Sequence, residues 1–150
     1  MITDALLAYL HFTAILILAS ALGAEALLLR AQAGADTLRS LARADILYGV
    51  SSGVAIATGL LRLFYGAKGM AFYSGNPVFW TKLGLFAAVG LLSIPPTLKF
   101  IRWRRQLATD ESFYPPLNEI AATRRIVFIE LHLLALIPLA AVFMARGLGI

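Results

Sequence analysis

Laid out by hydrophobic and polar position, the chain is four long apolar runs separated by short charged or turn-rich stretches. The runs cover about 5–29, 46–65, 78–100 and 126–145. A helix needs roughly 20 apolar residues to cross the ~30 Å of hydrocarbon in a bilayer, and each run meets that length. The first ends at Arg30, and the second follows a short stretch holding Gly34, Arg39 and Arg43. The third follows the turn-rich segment 66–77, and Arg146-Gly147 closes the fourth. The pattern predicts an all-α integral membrane protein: a bundle of four transmembrane helices forming one domain over 1–150.

Basic residues set the expected direction. Arg30, Arg39 and Arg43 lie between runs one and two. Lys99, Arg102, Arg104, Arg105, Arg124 and Arg125 lie between runs three and four. Only Lys68 lies clearly in the second connection, with Arg62 and Lys82 just inside the flanking helices. The positive-inside rule then puts both Arg-rich connections in the cytoplasm and both termini outside, as expected for a multi-pass protein of the bacterial inner membrane. Aromatic residues fit interfacial belts: Tyr65, Phe72, Tyr73, Phe79 and Trp80 at the outer face, Trp103, Phe113 and Tyr114 at the inner one. Pro95-Pro96 should loosen the inner end of helix three. Helix two is rich in small residues, from Gly49 to Gly59, which predicts close helix packing. The polar stretch 102–125 reads as the longest loop, with room for a short interfacial helix around Trp103.

Composition agrees. Of 150 residues, 60% are hydrophobic and 14% charged, against about a quarter charged in soluble domains, and the mean hydropathy is +0.82. The net charge of +5 reflects the basic connections, and nothing points to a nucleic-acid partner. The absence of cysteine excludes disulfides, thiolate metal sites and thiol catalysis. The N-terminus lacks the basic start of a secretory signal, so the first run reads as a retained helix.

Ionisable groups in hydrocarbon are expensive, and each calls for a reason. An outer group comprises His11, Arg62 and Lys82, with His11 and Lys82 roughly 6–9 Å deep at ~1.5 Å per residue. Two cations and an imidazole in the outer leaflet suit an anionic amphiphile: a porphyrin, a quinone head or a lipid phosphate. The plain alternative is snorkelling of the two long stems. An inner group comprises Glu25, Asp45, Tyr48, Glu130 and His132, with Asp45 and Tyr48 opening helix two. His11 and Glu25 are fourteen residues apart, within ~40° on one face of helix one, together with Ala14, Leu18 and Leu22. Glu130 and His132 point roughly 160° apart, so one of them must leave the bundle interior. Glu25 and Glu130 either pair with arginines such as Arg43 or Arg124, or relay protons. The depth offset between His11 and His132 disfavours a two-histidine haem clamp. No Ser-His-Asp set, phosphate loop or helical metal-binding histidine pair is present.

The stretches LLAYLHFTAILILASALGAE, GLLR, GAKGMAFYSGNPVFWTK and LIPLAAVFMARG resemble the bacterial domain-of-unknown-function family 2214, small predicted membrane proteins. Leu10-His11 and the run from Pro77 through Phe79 and Trp80 to Lys82 are also similar to elements of HemJ-type protoporphyrinogen oxidases, four-span homo-oligomers. That second resemblance implies haem b or porphyrin binding, with His11 as axial ligand to iron and Lys82, alongside Arg62 and Trp80, around the cofactor. The chain departs from it at Leu18, where a tryptophan is expected, and lacks a histidine after the third apolar run.

Three functions follow as expectations. The first is a haem or porphyrin protein, which as an enzyme would be a porphyrin- or quinone-linked oxidoreductase. The second is a cofactor-free accessory membrane protein. The third is a small transporter or proton-conducting oligomer using Glu25 and Glu130. Polar groups on more than one helix face favour a homodimer or homotrimer.

Overall fold

The computed structural model of the chain describes residues 2–30, 33–65 and 74–146. Four helices account for nearly all of them: α1 (Ile2–Leu28), α2 (Ala35–Tyr65), α3 (Pro77–Thr109) and α4 (Leu117–Ala145). Each is long and apolar enough to cross a membrane. The expected outer aromatics Phe72 and Tyr73, and the basic Lys68, lie outside the described residues.

Helix α1 packs along α2, and α3 along α4; thinner contacts join α2 to α3 and α4 to α1, and the backbones of the diagonal pairs stay apart. Leu38 and Leu41 near the start of α2 share one core cluster with Trp103 and Leu107 near the end of α3. The α1–α2 and α3–α4 connections therefore lie at the same end of an up-down bundle. That end is called the turn end below.

Three helices outrun the expected spans. Helix α2 begins at Ala35 rather than 46, α3 continues to Thr109 rather than 100, and α4 begins at Leu117 rather than 126. The 31 residues of α2 reach about 46 Å at ~1.5 Å per residue, well beyond the ~30 Å of hydrocarbon. The extensions are amphipathic. Leu38, Leu41 and Ala42 on α2, Phe100, Trp103 and Leu107 on α3, and Ile120, Thr123 and Val127 on α4 are all buried at helical spacing. The expected loop over 102–125 is thus mostly helix, with no separate interfacial segment: a search for hydrocarbon-length runs stops at the first charges, whereas helix stops only where its buried face does.

Trp103 is likewise not an interfacial residue. It is among the most deeply buried side chains, and its indole N–H donates to Glu119 Oε2 at 3.1 Å. Glu119 also pairs with Lys99 at 3.2 Å and with Arg102, so this carboxylate ties α3 to α4. Tyr114 and Tyr65 are exposed, as a belt position requires. In the α3–α4 turn, Asp110 Oδ1 accepts from Ser112 N at 2.9 Å and Ser112 Oγ at 2.6 Å. Those bonds hold the Asp110 carboxyl below its ordinary range.

Asn76 caps α3, its Oδ1 accepting from Val78 N at 2.8 Å, with Pro77 in the first turn. The helix then runs on through Pro95 and Pro96 instead of ending there. Along its first half α3 buries only Val89. The small residues of α2 explain part of this looseness. Gly59 is pressed against α1, where an added Cβ would lie 3.2 Å from His11 Cε1, but Gly49 and Gly53 meet nothing within 4 Å. Close packing therefore holds at Gly59 and fails at Gly49 and Gly53.

Candidate functional site

All four helices contribute to a polar cluster in the bundle interior. Glu25 comes from α1, Asp45 and Tyr48 from α2, Ser93 and Thr97 from α3, and Glu130 from α4. Glu25 is 2% exposed and Glu130 1%. Each occupies a polar position on an otherwise apolar buried stripe: Ala14, Leu18 and Leu22 precede Glu25, while Val127, Leu134 and Ile137 flank Glu130. Glu25 is close enough to interact electrostatically with Asp45 and Glu130. The Tyr48 side chain lies beside Glu130 and Ser93, and Thr97 Oγ1 donates to Asp45 Oδ1 at 2.6 Å. The sequence expectation that Asp45 and Tyr48 open α2 is corrected: the helix starts ten residues before Asp45 and carries both inward.

No described arginine or lysine serves the cluster as a counter-charge. Among the described residues the ion pairs are Arg39–Asp36, Lys99–Glu119 and Arg102–Glu119, all at the turn end. Oε1 of Glu25 and Oε1 of Glu130 are buried with no hydrogen-bond partner. The expected alternative, pairing with Arg43 or Arg124, is not what the structure has. Arg43 precedes Asp45 by two residues and so points roughly 200° around the helix from it; it is exposed. Arg124 is exposed and stacks over Phe128, 5.2 Å from the ring centroid. Among the described residues no three His, Asp or Glu side chains are arranged to hold a metal ion. His132 leaves the interior, as its angle to Glu130 requires: it is exposed, and its Nδ1 donates to the Phe128 carbonyl at 2.6 Å.

Three of the four residues expected around a cofactor come together at the opposite end. His11 Nδ1 donates to the Ala55 carbonyl at 3.0 Å, with Thr58 Oγ1 at 3.1 Å. Arg62 and Lys82 both lie within electrostatic reach of the imidazole, and of each other. The Arg62 guanidinium sits 5.5 Å from the Phe12 ring centroid, with its Nε buried and unpartnered. Lys82 Nζ sits 5.5 Å from the Phe79 centroid. Trp80 turns outward: it is 56% exposed and its indole donates to the Ser74 carbonyl at 3.0 Å.

Two clefts open along the loosely packed α2–α3 seam. One, of about 450 Å³, has Asp45, Tyr48, Ser93 and Thr97 in its wall, with Gly49 and Gly90 leaving it open. The other, of about 440 Å³, lies at the turn end between Arg39, Arg43 and Arg104. Ser93 and Thr97 escape a search for ionisable groups, although their spacing of four residues puts two hydroxyls on one face of α3.

The fold and the polar centre together define a four-helix membrane protein with an uncompensated acid cluster inside its bundle. The chain belongs to the family described as predicted membrane protein (DUF2214), whose model matches residues 3–149. No curated protein and no solved structure gives a significant match. Family membership agrees with the first resemblance; the HemJ likeness rests on its short motifs alone.

Proposed function

We propose that the protein moves protons within the membrane, with Glu25, Asp45 and Glu130 as the proton-carrying groups and Tyr48 as the link between them. The observation that carries this reading is the buried pair Glu25 and Glu130, with the half-buried Asp45 beside them and no arginine or lysine paired to the three among the described residues. A carboxylate in low dielectric needs a positive charge, and where no side chain supplies it the remaining sources are a proton or a cation from outside. Tyr48 lies beside Glu130 and Ser93 and lines the cleft between α2 and α3, so its hydroxyl offers a route from Glu130 to that cleft. The Arg-rich turns support a cytoplasmic turn end, with both termini outside, in a bacterial plasma membrane. The exposed first half of α3 and the outward His132 support a homo-oligomer as the working form.

The test is proton flux into proteoliposomes under a potassium-diffusion potential, read with an internal pH dye. Glu25→Gln and Glu130→Gln should each lower the flux at least about tenfold, the range in which proton-transfer groups act, while His132→Gln leaves it unchanged. Wild-type flux no faster than that of protein-free vesicles would refute the reading and leave an accessory role.

One observation favours a second reading, a porphyrin site at His11. The Nδ1–H bond to Ala55 leaves the Nε2 lone pair as the available ligand, the tautomer an axial imidazole requires. Arg62 and Lys82 supply cations suited to carboxylates. When bound, haem would supply redox chemistry at that end of the bundle. An absorption spectrum of the purified protein beside His11→Ala decides it: a Soret band lost in the variant supports the site, and a colourless protein that takes up no added haemin excludes it.

A further inference from the structure

The two clefts share Ile46 in their walls and follow one another along the α2–α3 seam, from the turn end toward the middle of the bundle; together they are called the furrow. Its two halves differ in chemistry. At the turn end Arg39 and Arg43 from α2 and Arg104 from α3 surround an apolar floor of Ala42, Leu107 and Ala108. Arg39 is partly engaged by Asp36 at 3.1 Å, whereas Arg43 and Arg104 make no ion pair among the described residues. Farther along, Val50, Ile56 and Phe86 form the apolar part of a wall that also holds Asp45, Ser93 and Thr97, and Gly49 and Gly90 keep it open, with nothing within 4 Å of an added Cβ.

We propose that this furrow binds one anionic phospholipid. Its phosphate sits among Arg39, Arg43 and Arg104, and one acyl chain lies along Ile46, Val50, Ile56 and Phe86. Three guanidiniums against one acid, Glu111, leave the headgroup half net positive, which selects an anion over a zwitterion. Glu111 can accept from a headgroup hydroxyl, as a glycerol headgroup offers. Arginines in one half and apolar side chains in the other match a headgroup and a tail, whereas an apolar helix face of a second copy would offer the arginines no anion. A tail-free phosphate would satisfy the arginines and leave the apolar half unfilled.

The experiment counts lipid retained on the detergent-purified protein by native mass spectrometry, after equilibration with phosphatidylglycerol or phosphatidylcholine at equal concentration. Wild type should retain phosphatidylglycerol at least about tenfold better, the scale expected for loss of one to two such charge contacts. The triple variant Arg39→Gln/Arg43→Gln/Arg104→Gln should lose that preference. Arg105→Gln/Arg125→Gln/Arg146→Gln, equal in charge and exposed, should keep it. Gly90→Phe, which fills the furrow and leaves the arginines, should also release the lipid. Equal retention by the first triple variant, or equal loss in the second, overturns the proposal. So does displacement of the lipid by glycerol phosphate at equal concentration, which marks a free-phosphate site. A dimer that covers the furrow and retains no lipid overturns it as well.

Discussion

Replacing Glu25 by Gln tests whether the acid cluster lacks a partner, because the two possible answers differ in sign. Gln keeps the shape of the side chain and removes its capacity for negative charge. Glu25 faces Asp45 and Glu130, so the new amide N–H group has carboxyl acceptors at hand. Two carboxylates ~7 Å apart repel by roughly 2 kcal/mol at an effective permittivity of ~20. Relief of two such contacts therefore sets a ceiling of roughly 4 kcal/mol on the stabilisation, and complete sharing of protons in the cluster reduces it to zero. A chain of this size gains about 2–4 °C in Tm per kcal/mol, so the variant should melt between unchanged and roughly 15 °C higher. Were Glu25 half of a buried ion pair, the same change would strand an arginine and cost about 3–5 kcal/mol. Thermal unfolding of the detergent-purified protein at pH 8, followed by far-UV circular dichroism, separates the two, with Glu130→Gln run beside it. A fall in Tm of more than about 5 °C for either variant would show that a counter-charge exists and would remove the basis of the proton reading.

Two further substitutions probe the packing that positions the site. Glu119→Ala leaves the buried Trp103 indole N–H without its acceptor, costing about 1–3 kcal/mol, and removes two part-exposed ion pairs worth ~0.2–1 kcal/mol each. Adding Trp103→Phe deletes the stranded donor, so denaturant unfolding of the double-mutant cycle should show a coupling of about 1 kcal/mol; simple additivity would sink the hub at Glu119. At Gly59 the 3.2 Å approach of His11 can give way for one methyl, so Gly59→Ala should stay within about 1 kcal/mol of wild type. Gly59→Leu displaces the imidazole and should cost about 1–3 kcal/mol; equal Tm values for the two variants would mean that α1 and α2 do not meet there.

Chain and structure agree where a single helix carries the information. Four apolar runs are four helices, and the stripe Ala14–Leu18–Leu22–Glu25 is buried because one angular period fixes which residues share a face. Glu130 turns in and His132 turns out for the same reason. What the chain hides depends on a second helix. Trp103 reads as an interfacial residue until Glu119 is known to stand beside it. Gly49 and Gly59 look alike in sequence, yet one lines an open furrow and the other touches His11. Asp45 joins Glu25 only once α1 and α2 are in register, and no single run reports that meeting. Trp80 sits two residues before Lys82 and still faces outward, because i and i+2 positions point away from each other on a helix.

The placement of charge inside the bundle favours a working role for the acid cluster over a purely structural one. Helices α1 and α2 carry both signs at opposite ends: Arg62 on α2 toward one, Glu25 on α1 and Asp45 on α2 toward the other. The seventeen residues between Asp45 and Arg62 place those two groups roughly 26 Å apart. At that separation unit charges attract by less than about 1 kcal/mol at an effective permittivity of ~20. The cations and the acids therefore do little for one another, although both sets lie within a low-dielectric span. If the polar groups served only to join helices, pairing Glu25 with a neighbouring arginine would satisfy both at once, as Glu119 does with Lys99 and Arg102 at the turn end. Among the described residues the chain makes that pairing at the turn end and not around Glu25 and Glu130. An omission confined to the place where it is most expensive is the arrangement expected if the acids must remain open to a proton.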